Sequence, residues 1–292
     1  MPELPEVEVT RRQIGPLLLR RRIASVITTA PSYFFLTEPD VLRRKLRGRR
    51  IERLERHGKY LIGTLDDGSR LLLHLGMTGQ LFGGGVSSVR LLSATRGASL
   101  SPEAQLVAFT PDRHTHLRIQ FEDRGPEVYF RDTRKFGKVQ WLAAEEPSPR
   151  LQLLGVDALQ ATAARLLAET RSRRVPIKTV LLDQSVFAGI GNIYADEALF
   201  VAGVRPTRRA QRLSADESAR VVRAVKRILL RSIETGGSSI SDYVQPDGSD
   251  GAYQDERRVY DRTGEACLRC GASIKRLVIG TRSSHYCPRC QR

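Results

Sequence analysis

Cys267-Leu268-Arg269-Cys270, sixteen residues, and then Cys287-Pro288-Arg289-Cys290 hold all four cysteines of the chain. Two Cys-x2-Cys turns joined by a hairpin-length spacer match the four-thiolate zinc pattern, each turn aiming two sulfurs at one point. Soft thiolates in a tetrahedron suit Zn2+, and four of them leave no open position, so the expected ion is structural. Two disulfides or a redox pair are the competing readings. Residues 1–12 lack the apolar segment of a secretory signal. A reducing cytoplasm is therefore the expected setting, and paired structural disulfides are rare there. One Zn2+ on Cys267, Cys270, Cys287 and Cys290 is the expectation.

Charge says what such a module touches. Lysine and arginine outnumber the acids 48 to 32, a formal net charge of +16, and residues 257–292 carry nine basic side chains against two acidic. This is the footprint of a polyanion binder. No apolar stretch is long enough to span a bilayer and no basic amphipathic anchor is evident, so nucleic acid is favoured over a membrane surface. Charge alone carries no sequence or lesion preference.

At the other end, Met1-Pro2-Glu3-Leu4-Pro5-Glu6-Val7-Glu8 supports two readings. Once Met1 is removed, as is usual before a small residue, Pro2 becomes a free secondary amine, and an α-amino group titrates near pH ~8. Its attack on an aldehydic carbon can give only a charged iminium, an electron sink for β-elimination. Glu3 is then placed to protonate a leaving group or a sugar oxygen. The same residues equally start a helix, with proline in the first turn and acids at the positive dipole end. With Met1 attached the Pro2 nitrogen is an amide and the nucleophile is absent.

The chain is long enough for two cores. A helix over roughly residues 3–14 precedes short alternating runs at Arg22–Ala30, Ile51–Arg56, Tyr60–Leu65, Arg70–Leu75, Leu117–Glu122, Glu127–Arg131 and Lys138–Leu142, with a helix at Asp40–Leu46 among them. Short strands with tight turns argue a two-sheet sandwich. Gly83–Pro111, rich in Gly and Ser, reads as a long flexible loop. After Glu145-Glu146-Pro147-Ser148-Pro149 the period turns helical, with candidates Ala161–Thr170, Ile177–Asp183, Asn192–Ala202 and Ser214–Thr235. Ser214 and Glu217 have capping-box spacing, and Gly236-Gly237 stops the last helix. The expected class is α+β: a β-sandwich over 1–146 opened by a helix, a helical domain over 147–256, and a zinc hairpin over 257–292.

Five segments, in order and nearly end to end, resemble the formamidopyrimidine-DNA glycosylase family, bacterial enzymes that excise oxidised purines. They are Pro2-Glu3-Leu4-Pro5-Glu6-Val7-Glu8, His74-Leu75-Gly76-Met77-Thr78-Gly79, Asp132-Thr133-Arg134-Lys135-Phe136-Gly137, Gly189-Ile190-Gly191-Asn192-Ile193-Tyr194-Ala195-Asp196-Glu197, and Arg282 through Gln291. Leu4 resembles this family rather than the pyrimidine-specific branch, which usually has Gly there. The resemblance implies an N-terminal β-sandwich, a helix-two-turn-helix domain ending in a zinc β-hairpin, and damaged double-stranded DNA between the domains.

It also implies roles. Pro2 would attack C1′ of the damaged nucleotide and Glu3 would act as general acid. Lys59 would contact phosphate and base and assist β-elimination, its ordinary reading being a solvated strand charge. Arg282 would bind a phosphate and serve δ-elimination. Asn192 would clamp a phosphate beside helix-start N–H groups, an ordinary N-cap being the alternative. His114, Arg134 and Arg174 align with further DNA contacts. Met77, Arg134 and Phe136 match an intercalating trio that fills the gap left by an extruded base; two core residues near strand ends is the plainer account of Met77 and Phe136. Glu6 serves either the proton network or the helix alone. Residues 232–253 cover the family's loop over the flipped base.

The expected function is a bifunctional glycosylase and abasic-site lyase of base excision repair, needing no redox or nucleotide cofactor and acting as a monomer. Its rivals are the same chemistry on oxidised pyrimidines, and a catalytically silent damage-recognition protein. Two departures stand out. The family's Asp-Pro-Arg-Arg-Phe-Gly is here Asp132-Thr133-Arg134-Lys135-Phe136-Gly137, which frees that turn and weakens its preorganisation. Gly83–Pro111 is also longer than the usual connector.

Overall fold

The computed structural model describes residues 2–87, 108–239 and 243–292. Met1, the centre of the segment Gly83–Pro111 read as a loop, and residues 240–242 of the segment expected to cover a flipped base lie outside them. The chain divides into two compact units, Met1–Ser148 with Gly236–Ala252, and Pro149–Thr235 with Tyr253–Arg292. Two segments thus group differently from the sequence-based division. Gly236–Ala252 joins the sandwich because Gln13 Nε2 donates to Gln245 at 2.6 Å and the Tyr243 hydroxyl donates to the Glu6 carbonyl at 3.3 Å. The zinc hairpin joins the helices through a small shared core of Phe200, Val259, Cys267, Ile274 and Cys287.

In the first unit, α1 (Leu4–Leu18) is followed by β1 (Ile23–Thr28), α2 (Pro39–Leu46), β2 (Ile51–His57), β3 (Tyr60–Leu65), β4 (Arg70–His74), β5 (Gly79–Gly83), β6 (Thr115–Phe121), β7 (Val128–Asp132) and β8 (Lys138–Leu142). The strands make two four-stranded sheets, β1-β6-β7-β5 and β2-β3-β4-β8, with antiparallel pairing throughout. The expected sandwich is observed. Its core takes Leu61, Leu71, Leu73 and Val139 from one sheet and Val26, Leu117, Ile119 and Phe130 from the other, each buried side chain contributing about 1.5–3 kcal/mol. Helix α1 runs four residues past the expected end, through Pro16. Fully buried Ile14 and nearly buried Leu18 hold that last turn in the core, which offsets the backbone bond that proline cannot make. Strand β5 was not expected, because glycines bracket it; both faces are nevertheless buried, Leu81 in the sandwich core and Phe82 in a separate cluster with Phe109 and Tyr129.

In the second unit, α3 (Pro149–Gln152), β9 (Val156–Asp157), α4 (Ala163–Arg171), α5 (Ile177–Leu182), β10 (Phe187–Ala188), α6 (Asn192–Ala202) and α7 (Ala215–Glu234) lead to the hairpin β11 (Lys275–Ile279) and β12 (Arg282–Tyr286). The Ser214–Glu217 capping box is present in both directions, at 2.8 and 3.1 Å. Gly236 and Gly237 end α7 in left-handed backbone, φ +79° and +84°. Among the described residues no helix is long and apolar enough to cross a membrane.

Candidate active site

Pro2 and Glu3 sit at the head of α1, and both are buried. Glu3 is the N-cap, joined to Glu6 in a reciprocal capping box in which the Glu3 N–H donates to Glu6 Oε2 at 2.8 Å. The other Glu6 oxygen accepts the Ser238 N–H at 2.8 Å. Glu6 therefore serves the helix start and also ties the Ser238 backbone to it. Gly237 allows that approach: a Cβ there would meet Glu6 Oε1 at 3.0 Å, on a backbone already at φ +84°. Burial, and then the Glu6 charge, raise the pKa of Tyr243, so its phenol stays a neutral donor.

One turn along, Glu8 gathers three guanidinium groups. Arg11 grips it through two nitrogens (2.8 and 2.9 Å), Arg12 donates at 2.8 Å, and Arg56 reaches across from β2 at 3.2 Å. Burial alone would raise this carboxyl, but hydrogen bonds from Arg11 and Arg12 and the charges of Arg11 and Arg56 hold it at about 2. A carboxyl depressed in the folded state stabilises above its unfolded pKa and loses that contribution as pH falls through the folded one. Glu8→Gln is thus expected to lower stability by about 2–3 kcal/mol at neutral pH. In urea titrations the gap between the two proteins should close as pH falls from 4.5 towards about 2; a gap independent of pH would mean that Glu8 acts only by packing.

Lys59 is not on a strand. The pair His57↔Tyr60 closes the β2–β3 hairpin around Gly58, at φ +56°, and Lys59, which is only 8 % exposed. Helix α1 packs on β2 and β3, so the Glu8–Arg56 bridge ties the helix that begins at Leu4 to the hairpin that carries Lys59.

Met77, Arg134 and Phe136 lie on two loops, 75–78 and 133–137, that touch. Gly76 makes this possible: at φ +64°, its Cβ would strike the Phe136 carbonyl carbon and the Gly137 nitrogen at 2.4 Å. Fully buried Asp132 is the hub. It accepts the Thr78 hydroxyl, the Arg134 N–H at 3.2 Å and the Gly137 N–H at 2.7 Å. Arg134 and Phe136 stay exposed, the guanidinium lying 4.7 Å over the ring, while Met77 is half-buried. Neither Met77 nor Phe136 belongs to the hydrophobic core that the plainer reading assigned them. The turn that lacks proline is held by side-chain bonds, with Lys135 at φ +59°. His114 is beside it, its carbonyl accepting the Asp132 N–H at 2.8 Å. Asp132 and Thr78 were not singled out in the sequence; an Asp two residues before Arg134, with the acceptor capacity to close a turn on its own backbone, is the signal that could have found the first of them.

In the second unit, Arg174 is exposed on the connector into α5. Between α5 and α6 the two turns are stapled by Gln184, which donates to the Leu182 and Ile190 carbonyls and accepts the Gly189 N–H. Asn192 is not the N-cap: that place belongs to Gly191, which offers no side chain, and Asn192 is the first helical residue. Its Oδ1 has no hydrogen-bond partner among the described residues. Arg282 opens β12, exposed, directly after the two-residue turn Gly280-Thr281. The residues behind it are clamped. Asp196 accepts from the Ser284 hydroxyl (2.9 Å) and the His285 N–H (2.8 Å) and pairs with Lys178 at 2.7 Å, both side chains fully buried; Lys178 also donates to the Ser283 carbonyl.

The four cysteines are free thiols whose sulfurs all lie within 4.8 Å of one another. Cys267 and Cys290 sulfurs are 3.9 Å apart and those of Cys270 and Cys287 3.4 Å, close to the ~3.8 Å edge of a tetrahedron with ~2.3 Å metal–sulfur bonds. The Arg269 and Cys290 N–H groups point at Cys267 and Cys287 sulfurs at 3.4 Å. This donor set fits a structural metal.

Three family domains match in order: the formamidopyrimidine-DNA glycosylase N-terminal domain over residues 1–139, its H2TH domain over 154–244, and the zinc finger found in FPG and IleRS over 264–292. The chain is 38% identical over its whole length to a formamidopyrimidine-DNA glycosylase of Solibacter usitatus, also covered in full, and 42% identical to one of Synechococcus elongatus, with 97% of that protein covered. Among solved structures, the MutM (Fpg) protein of Thermus thermophilus aligns with a TM-score of 0.82 at 35% identity, covering 99% of this chain and 98% of that one. Lactococcus lactis Fpg in complex with an abasic site containing DNA gives 0.83 at 32%, covering 99% of each. Its complex with a Fapy-dG containing DNA gives 0.83 at 32%, covering 99% of this chain and 100% of that one. With these matches spanning sandwich, helices and zinc hairpin alike, the chain belongs to the formamidopyrimidine-DNA glycosylase family of DNA repair enzymes.

Proposed function

We propose that the protein is a bifunctional DNA glycosylase and abasic-site lyase that excises 8-oxoguanine and formamidopyrimidines from duplex DNA and cuts the strand by β,δ-elimination. The observation that carries this reading is the buried corner at the head of α1, where Pro2 and Glu3 are adjacent and the Glu3–Glu6 box fixes their backbone. After loss of Met1, the Pro2 nitrogen attacks C1′ and the glycosidic electron pair leaves with the base. Glu3 protonates O4′, the C1′–O4′ bond opens, and the nitrogen lone pair forms the iminium. Loss of a C2′ proton then expels the 3′ phosphate, and a second elimination expels the 5′ phosphate.

Lys59 and Arg282 are the cations assigned to the phosphates and to the two eliminations, and Asn192, His114 and Arg174 to backbone contacts. Met77, Arg134 and Phe136 would occupy the gap in the stack, with Arg134 facing the orphaned base. Zn2+ is the ion assigned to Cys267, Cys270, Cys287 and Cys290, where it would hold the hairpin that presents Arg282.

Borohydride trapping tests the reading, because it reduces an iminium to a stable amine. With Met1 removed, a covalent band is expected on duplex carrying 8-oxoguanine opposite cytosine, and none when Met1 is retained. A band confined to an oxidised pyrimidine would move the enzyme to the neighbouring substrate class. Tight binding with no band on either would leave a recognition protein.

A further inference from the structure

A wedge that enters a base stack needs a stiff mount, and the backbone N–H groups of the loop carrying Arg134 and Phe136 are held on its inner side by Asp132 and Thr78. Its outward carbonyl, that of Arg134, accepts the Tyr33 hydroxyl at 2.7 Å. Tyr33 is far away in sequence and 58% exposed, so its ring adds little to the core. Its backbone is firmly seated all the same. Fully buried Phe34 packs against Phe35, Phe130 and His116 with ring centroids 4.8–5.1 Å apart, and the Phe34 carbonyl and Leu36 N–H pair with Val139. Lys138, just past the other end of the loop, places its ammonium 4.8 Å over the Tyr33 ring. The phenol thus spans the loop, with its hydroxyl on one limb and its face under the other.

We propose that Tyr33 is a positioning residue for base extrusion: it braces the Arg134–Phe136 loop from outside, supplying stiffness that the Thr133-Arg134-Lys135 turn does not have by itself. This rests on the proposed wedge role of Arg134 and Phe136. The hydroxyl fixes the Arg134 carbonyl and, through it, the direction in which the guanidinium lies over Phe136. Lys135, at φ +59°, sits in a conformation that a non-glycine residue leaves readily when the neighbouring peptide is released. Removing the hydroxyl therefore releases the carbonyl side of the Arg134 peptide link, while Asp132 and Thr78 still hold the Arg134 N–H.

The test compares wild type, Tyr33→Phe, Tyr33→Leu and Arg134→Ala under single-turnover conditions. One duplex carries 8-oxoguanine opposite cytosine, a second a ready-made abasic site with no base to extrude, and a third 2-aminopurine beside the lesion, whose fluorescence reports unstacking. Tyr33→Phe is expected to slow excision about three- to tenfold, the effect of losing one hydrogen bond of this kind. It should lower the 2-aminopurine signal in step, and to slow abasic-site cleavage by a smaller factor. Tyr33→Leu, which also removes the face under Lys138, should slow excision further. If Arg134→Ala impairs excision and the 2-aminopurine signal while both Tyr33 variants match wild type, the brace is overturned and the wedge stands. If Arg134→Ala also matches wild type, the wedge reading itself fails. Equal slowing on the lesion and the abasic duplex would assign Tyr33 to general folding and overturn its role in extrusion.

Discussion

Glu3→Gln is expected to lower base excision by about 10²- to 10⁴-fold, the range that a positioned general acid supplies. The substitution is close to isosteric, and the structure says what it spares. Glu3 caps α1 by accepting a backbone N–H, and its own N–H is held by Glu6. A glutamine carbonyl can still accept, so the cap, the burial of Pro2 and the bond from Ser238 to Glu6 survive. What is lost is the dissociable proton. Thermal unfolding should therefore change little, while single-turnover excision of 8-oxoguanine falls steeply. The Pro2 amine is untouched, so borohydride should still trap the variant on a ready-made abasic site, a hemiacetal that opens to its aldehyde without O4′ protonation by Glu3. Excision within tenfold of wild type would reduce Glu3 to a helix cap and send the search for the acid elsewhere in the buried corner.

The parts of the molecule that were legible in the sequence are those where one residue type has one physical use. Four cysteines in two Cys-x2-Cys turns located the metal cluster, and Ser214 with Glu217 located the start of α7 to the residue. Strands with clean alternation were found, whereas β5 was not, since Gly79 and Gly83 read as loop until the neighbouring β7 supplies the pairing. The Pro2–Glu3 corner is local in sequence and could be quoted directly. Its support is not local. Ser238, Tyr243 and Gln245 reach α1 from more than two hundred residues away, so the sequence placed them with the helical domain. Asn192 shows the opposite case: its position beside a helix start was right, but Gly191 takes the cap, and the Asn192 Oδ1 has no partner among the described residues. Polar hubs such as Asp132 and Asp196 were quoted inside motifs without being understood, because their meaning lies in which backbone groups the fold brings to them.

Asp196→Ala is expected to destabilise the second unit by about 3–5 kcal/mol. The wild-type carboxylate is fully buried and accepts from the Lys178 ammonium, the Ser284 hydroxyl and the His285 N–H, with the His285 ring Nδ1 at 3.2 Å. Removing it leaves a buried ammonium without its carboxylate, with the Ser283 carbonyl at 2.8 Å as a weak substitute for a charge. Such a loss far exceeds that of an exposed ion pair. A second substitution separates charge from hydrogen bonding. Adding Lys178→Met removes the stranded ammonium and should recover part of the loss, since a buried pair replaced by apolar groups is often near neutral. Recovery should stop short of wild type, because Ser284 and His285 still lack their acceptor. Urea unfolding of the two single variants and the double, each checked for bound zinc, measures both quantities. Full recovery in the double variant would mean that the bonds to β12 add nothing. A single variant as stable as wild type would mean that water or a neighbouring group replaces the carboxylate, and that Arg282 is held by the zinc knuckles alone.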